Sequence, residues 1–410
     1  MPAAAPLPLG PSVPTLHDAD DLLAGPGCPV CRYLAEATDR YLSWFALEGH
    51  ADPAMIACMS SSLGMCARHT RGLMGQPGAA ARLTAVYQHV LTAARDRLAS
   101  GTGPVRGCPA CEYDLAAASR ALATLLDGLR DIETMSRYRD LGGMCIAHLA
   151  ETAAFGQQRF VPTLADIQRQ ALETTSDGPA WLAAIDPDAE IRAVLRQAVP
   201  ATGSTLPGSC AACLAAAQVE RDILTQRPGL ADDPPGDLAS EAALCASHLA
   251  DAAVAAVGTG RLRALLAAQT ARVARGSAGR WAGRAVRAQR GGAADWPASC
   301  PVCRSRVSAG QATLADVPAR LRRSAGPGRQ TLCVRHHVAL RAADQEAGTA
   351  LAQTAAEAAD LLISQLAEDF DRLAEAGRGG ADPGAGSGAW RHAAAYLDGG
   401  VFGGCPVRAS

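Results

Sequence analysis

The sequence predicts an all-α protein of four tandem helical units. Three observations carry that reading. Hydrophobic residues make up 49% of the 410-residue chain and aromatics only 4%; Ala, Leu and Arg dominate, a helix-forming mixture poor in strand formers. Apolar residues recur at steps of three and four, and no stretch alternates convincingly with a period of two. The cysteines, finally, fall into a fourfold internal repeat.

Each repeat opens with C-x-x-C and continues with C-x-x-H. Cys28 and Cys31 precede Cys66 and His69; Cys108 and Cys111 precede Cys145 and His148. Cys210 and Cys213 precede Cys245 and His248; Cys300 and Cys303 precede Cys333 and His336. The two pairs of a repeat are 34, 33, 31 and 29 residues apart. Twelve of the 14 cysteines and four of the nine histidines belong to this pattern, which rules out coincidence. Pro-, Gly- and Ser-rich joins divide the chain: residues 1–20 as a flexible N-terminus, 21–100 as unit 1, 101–200 as unit 2, 201–291 as unit 3, 292–376 as unit 4, and 377–410 as a linker with a C-terminal Trp helix.

Within the units the elements read as helices. Leu34, Ala37, Tyr41 and Phe45 form a stripe after Cys31, and Leu115, Ala118, Leu122 and Leu125 form one after Cys111. Leu83, Val86, Tyr87, Val90, Leu91, Ala94 and Leu98 mark a strongly amphipathic helix. Ala355, Ala358, Ala359, Leu362, Leu366, Phe370 and Leu373 mark another. Each unit thus reads as helix, turn, helix, with C-x-x-C opening the first helix and C-x-x-H a later one.

Two ligands separated by two residues in a first helical turn share one side, and two such pairs supply the four donors of a tetrahedral zinc. Helix N-termini also favour thiolates. The sixteen motif residues are therefore the candidate ligands, about four zinc ions per chain, each site pinning its own unit with three cysteines and one histidine. An iron–sulfur cluster is the minor alternative, although the close C-x-x-C-x-x-C run is missing. A thioredoxin-like dithiol lacks its βαβ setting and leaves C-x-x-H unexplained.

These tandem C-P-x-C and G-x-C-x-x-H units resemble a bacterial family known as a domain of unknown function. The resemblance spans about residues 20–400. It rests on Cys28, Pro29 and Cys31, on Gly64, Cys66 and His69, on Gly143, Cys145 and His148, and on the terminal Trp helix at Trp390. Units 3 and 4 depart, with Ala211 in place of Pro and with Ala243 and Thr331 in place of Gly. The resemblance implies a metal-binding helical protein and no activity.

Other features bear on function class. Four protein ligands close a zinc site, and no H-E-x-x-H, G-x-S-x-G or Walker motif is present, so catalysis is not expected and the reading leans away from an enzyme. Gly384–Gly388 reads as a linker. His337 neighbours His336 as a rival ligand, but the other repeats favour His336. Cys58 reads as a buried apolar residue, and Cys405 as a free thiol or remnant. Lysine is absent, so all 38 basic residues are Arg. Residues 261–340 carry fifteen Arg against Asp295 and Asp316, within a chain of net charge −2. Arg280, Arg284 and Arg287 share a helical face, fit for an acidic partner or, as a weaker case, nucleic acid. The first 27 residues lack a signal-peptide pattern and no apolar run is long enough to span a membrane, so a cytoplasmic location is expected. There, reducing conditions make metal binding a better use of cysteines than disulfides. The expected function is a zinc-binding scaffold or adaptor for a protein partner. The alternatives are a thiol-based redox or metal sensor and a nucleic-acid-binding regulator.

Overall fold

The computed structural model describes residues 10–74, 76, 79–100, 107–145, 148, 149, 151, 152, 160–174, 210–226, 301–323, 332–378, 393, 396 and 397. Among these residues every regular element is helical. The first half holds α1 (Ala19–Leu23), α2 (Pro29–Leu47), a 3₁₀ turn at Gly49–Ala51, α3 (Pro53–Ser62), α4 (Ala67–Met74), α5 (Ala79–Ser100), α6 (Pro109–Gly128), α7 (Ile132–Asp140) and α8 (Val161–Thr174). The second half holds α9 (Ala211–Gln226), α10 (Pro301–Arg323), α11 (Val334–Ala343) and α12 (Gln345–Arg378).

The sequence sets where these helices start. Cys28 and Cys108 are N-caps in extended conformation, followed by Pro at N1. Proline costs nothing there, because its fixed φ suits the helix and the missing N–H has no intrahelical partner. Asp18, Asp52 and Asp131 cap α1, α3 and α7 by accepting backbone N–H bonds.

Helices α2 and α6 pack together, and their contacts run in opposite order along the chain. Tyr41 lies on Tyr113 with ring centroids 4.7 Å apart. Thr38 donates to Asp114 at 2.7 Å. Nearer the start of α2, Tyr33 donates to the Pro14 carbonyl, while Arg120, further along α6, donates to the adjacent Val13 carbonyl. The two helices are therefore antiparallel, with N-termini at opposite ends of the pair. Ala37, Ala117 and Ala121 are fully buried, and small side chains permit the close approach. Helices α9 and α10 repeat the arrangement: Ala212 lies by Gly310, and Glu220 pairs with Arg306 at 3.1 Å.

Helix α5 joins the halves by packing along α12. All seven apolar residues expected on its stripe, Leu83 to Leu98, are at most 1% exposed. From α12 come Ala359 and Leu366, both buried in the same core, while Leu351 belongs to a second cluster with Leu340 and Cys333; Tyr396 donates to the Ala355 carbonyl at 2.6 Å. Arg95 pairs with Asp360 at 3.1 Å. From α11, Arg335 donates to the Ser62 carbonyl that ends α3 and Arg341 to the Leu98 carbonyl near the end of α5. Both cations thus satisfy orphan carbonyls at helix C-termini.

Three expectations need correction. Residues 10–18 are not a loose leader: Pro14 is buried, and Val13 and Leu16 pack on the core. Leu115 is 45% exposed because the inner face of α6 is set by Tyr113, Ala117 and Ala121. Phe370, expected on the buried stripe of α12, is 43% exposed, while Asp369 beside it is buried; the Leu373 side chain lies outside the described ones. Trp390, Cys405, Gly384–Gly388 and Arg280, Arg284 and Arg287 lie outside the described residues. No helix among the described residues is long and apolar enough to cross a membrane.

Candidate metal centres

Six of the motifs lie among the described residues, and all six place their residues identically. The backbone N–H four residues after each leading cysteine donates to that cysteine's carbonyl, at 2.9–3.2 Å. The leading Cys is therefore the residue just before the helix, and the second Cys or the His sits in its first turn. Both side chains then project from one helix N-terminus, beside the partial positive charge of its free amides.

Two consecutive left-handed residues precede the C-x-x-H helices of units 1 and 2. In unit 1 they are Leu63 and Gly64, at φ 56° and 88°; in unit 2 they are Gly142 and Gly143, at 80° and 86°. This reversal leaves only four residues between α3 and α4. It accounts for the glycine two positions before Cys66 and Cys145, since left-handed φ penalises any residue with a Cβ. At Gly143 a Cβ would also lie 2.8 Å from Gln168 Oε1.

The helix N-termini meet in pairs, forming three tetrads whose ligand atoms lie within 4.8 Å of one another. The first joins Cys28, Cys31, Cys145 and His148. The second joins Cys66, His69, Cys108 and Cys111, and the third Cys210, Cys213, Cys333 and His336. The expectation that each unit closes its own site is thereby corrected: every tetrad takes C-x-x-C from one unit and C-x-x-H from another. The antiparallel packing of α2 and α6 explains this. The chain leaving α2 arrives at the end of the pair where α6 begins, so Cys66 and His69 meet Cys108 and Cys111. Cys145 and His148 return to the head of α2.

The distances fit a tetrahedral ion. In the first tetrad Cys31 Sγ lies 3.5 Å from Cys145 Sγ, and His148 Nδ1 lies 3.5, 3.3 and 3.1 Å from the sulfurs of Cys28, Cys31 and Cys145. In the second, Cys66 Sγ is 3.6 Å from Cys111 Sγ, and His69 Nδ1 is 3.3 Å from Cys66 and 3.5 Å from both Cys108 and Cys111. In the third, Cys213 and Cys333 sulfurs are 3.9 Å apart, and His336 Nδ1 lies 3.1–3.3 Å from all three sulfurs. Metal–sulfur bonds of about 2.3 Å and metal–nitrogen bonds of about 2.0–2.1 Å give tetrahedral edges of roughly 3.8 and 3.6 Å. A disulfide requires about 2.05 Å, and none of the nine tetrad cysteines forms one.

The electrostatics agree. Burial opposes charge on the His69 imidazole, yet the Asp114 carboxylate and the Cys108 and Cys66 sulfurs outweigh it and lift the pKa to about 11. Burial likewise opposes charge on His148, which the Cys28 and Cys31 sulfurs hold well above its ordinary value. These two clusters thus favour positive charge at their centres, which a metal cation supplies. The second centre also has an outer support: His69 Nε2 lies 2.9 Å from Asp114 Oδ2, which fixes the ring so that Nδ1 faces the sulfurs. The matching His148 Nε2 stands 4.0 Å from Glu151, beyond hydrogen-bond range.

The structure thus places twelve of the sixteen expected ligands in tetrads. The remaining quartet, Cys245, His248, Cys300 and Cys303, lies outside the described side chains. His337 belongs to none of the three tetrads and is 2% exposed. Burial pushes its pKa down to about 4, so it sits neutral in the core. Cys58 is half-buried against the core. Asp114 was missed in the sequence; its position three residues after Cys111, on the same helical face, is the signal that would have found it. Fold and sites define a helical protein with cysteine–histidine tetrads fit for metal. Compared with protein-family models, with curated proteins and with solved structures, the chain matches none.

Proposed function

We propose that this protein is a zinc-binding helical scaffold, with metal ions crosslinking its repeats so that it presents helical surfaces to a protein partner in the cytoplasm. The observation that supports this most is the donor set: three tetrads of three cysteines and one histidine, each filling the four positions of a tetrahedral ion. A filled coordination sphere leaves no place for a reacting water, which favours a structural role over catalysis. Soft thiolates with one imidazole favour zinc over hard cations. The resemblance to the bacterial repeat family points the same way.

The crosswise pattern allots the remaining pairs to one another: Cys300 and Cys303 would share a fourth ion with Cys245 and His248. Elemental mass spectrometry and X-ray absorption on protein purified without added metal test this reading. About four zinc ions per chain in a sulfur-rich, one-imidazole shell are expected. Iron with visible absorbance, or turnover abolished by a polar substitution away from the ligands, would overturn it.

A further inference from the structure

The three described centres are not equally protected. In the first, Cys28 and Cys145 are 4% and 1% exposed, and in the third Cys210 and Cys333 are each 1% exposed. Each of these centres has a single half-buried thiol, Cys31 or Cys213. The second differs: Cys111 is exposed and Cys66 half-buried, so two of its three cysteines are not buried. These two are also 3.6 Å apart, and they come from different units, Cys66 from the head of α4 and Cys111 from the first turn of α6.

We propose that the Cys66–His69–Cys108–Cys111 centre is a peroxide-reactive site that releases its metal by forming a Cys66–Cys111 disulfide. The inference rests on the metal-filled reading of the tetrads. Metal-bound cysteine is thiolate, the nucleophilic form of the residue. Reaction with an oxidant follows both thiolate character and access, and Cys111 combines the two. The Cys111 sulfur gives an electron pair to one peroxide oxygen. An S–O bond forms, the O–O bond breaks, and hydroxide leaves, giving sulfenic acid. The Cys66 thiolate then attacks the Cys111 sulfur. An S–S bond forms, the S–O bond breaks, and a second hydroxide leaves. Two thiolates and one peroxide yield one disulfide and two hydroxides, a two-electron oxidation. The ion keeps only Cys108 and His69, and two donors do not hold it. In the other two described centres only Cys31 and Cys213 are not buried, and neither is as exposed as Cys111.

The test treats the metal-loaded full chain with substoichiometric hydrogen peroxide, follows released zinc with a chromophoric chelator, and maps disulfides by mass spectrometry. The expected result is about one zinc released per chain in the first phase, with a Cys66–Cys111 linkage and the Cys28 and Cys210 centres intact. A parallel experiment with N-ethylmaleimide on the wild-type chain avoids variants that fail to fold. Cys111 and Cys66 should be modified at least about tenfold faster than Cys28 or Cys145. A first linkage within Cys28–Cys31 or Cys210–Cys213, or equal alkylation across the centres, would overturn the proposal. Metal content measured before oxidation decides the underlying metal reading separately.

Discussion

Asp114→Asn should weaken one metal centre selectively. Asp114 holds His69 Nε2 at 2.9 Å, accepts from Thr38 at 2.7 Å and lies 3.7 Å from Arg68. His69 is 1% exposed and the Asp114 side chain 14%, so water replaces little of a lost bond. A hydrogen bond involving a charged group contributes about 1.5–3 kcal/mol net, and a neutral one about 1 kcal/mol. The asparagine oxygen can still accept from Nε2–H, so the substitution removes the difference, about 0.5–2 kcal/mol. At about 1.4 kcal/mol per decade that is a two- to thirtyfold loss of affinity, overlapping the 10–100-fold range common for groups that orient metal-bound histidines. Glu151→Gln is the control. Its carboxylate stands 4.0 Å from His148 Nε2 and is 47% exposed, so affinity should change by less than about twofold. Chelator competition on the metal-loaded chain, combined with alkylation mapping, reads both. Cys66, Cys108 and Cys111 should lose protection first in Asp114→Asn, with Cys28, Cys31 and Cys145 unchanged. Equal effects of the two substitutions, or uniform loss of protection across the centres, would refute the reasoning.

Three further outcomes follow from the same structure. Gly143→Ala should destabilise more than Gly27→Ala. Both have left-handed φ, at about 1–2 kcal/mol, but only at Gly143 does a Cβ meet a neighbour, Gln168 Oε1 at 2.8 Å; denaturant melts of the two variants check the order. Leu91→Ala, at a fully buried site of α5, should cost about 2–5 kcal/mol, read as a lower urea midpoint at unchanged slope. Chelation of all metal should melt the fold, because metal binding of about 10–16 kcal/mol in zinc-finger peptides rivals a domain's whole stability of about 5–15 kcal/mol; circular dichroism before and after chelation shows it.

The candidate ligand motifs and the helices were legible in the sequence because each is written locally. C-x-x-C and C-x-x-H reveal their own geometry at a helix start, and the Leu83–Leu98 stripe needs no partner to be read. The assignment of ligand pairs to one another was not legible. A spacing of about 30 residues suits closure within a unit as well as exchange between units, and nothing in Cys66 or His69 marks Cys108 as its partner. The antiparallel packing of α2 on α6 decides it, through contacts such as Tyr41 on Tyr113 and Thr38 with Asp114. The exposure of Leu115 and Phe370 was hidden for a similar reason: periodicity shows that a stripe exists, while the neighbouring helices decide which residues it covers. Ser62 and Leu98, whose carbonyls receive Arg335 and Arg341, are silent in sequence because the acceptor is backbone.

The crosswise construction of the centres is the central claim, and metal stoichiometry of paired ligand variants tests it most directly. Cys31 and Cys145 share one tetrad, whereas Cys31 and Cys66 belong to different ones. Zinc per chain should fall by about one ion in Cys31→Ser, in Cys145→Ser and in Cys66→Ser. The Cys31→Ser/Cys145→Ser double should lose no more than either single, and the Cys31→Ser/Cys66→Ser double should lose two. The reverse pattern, with Cys31 and Cys66 removing the same ion, would show that each unit closes its own site and would contradict the account.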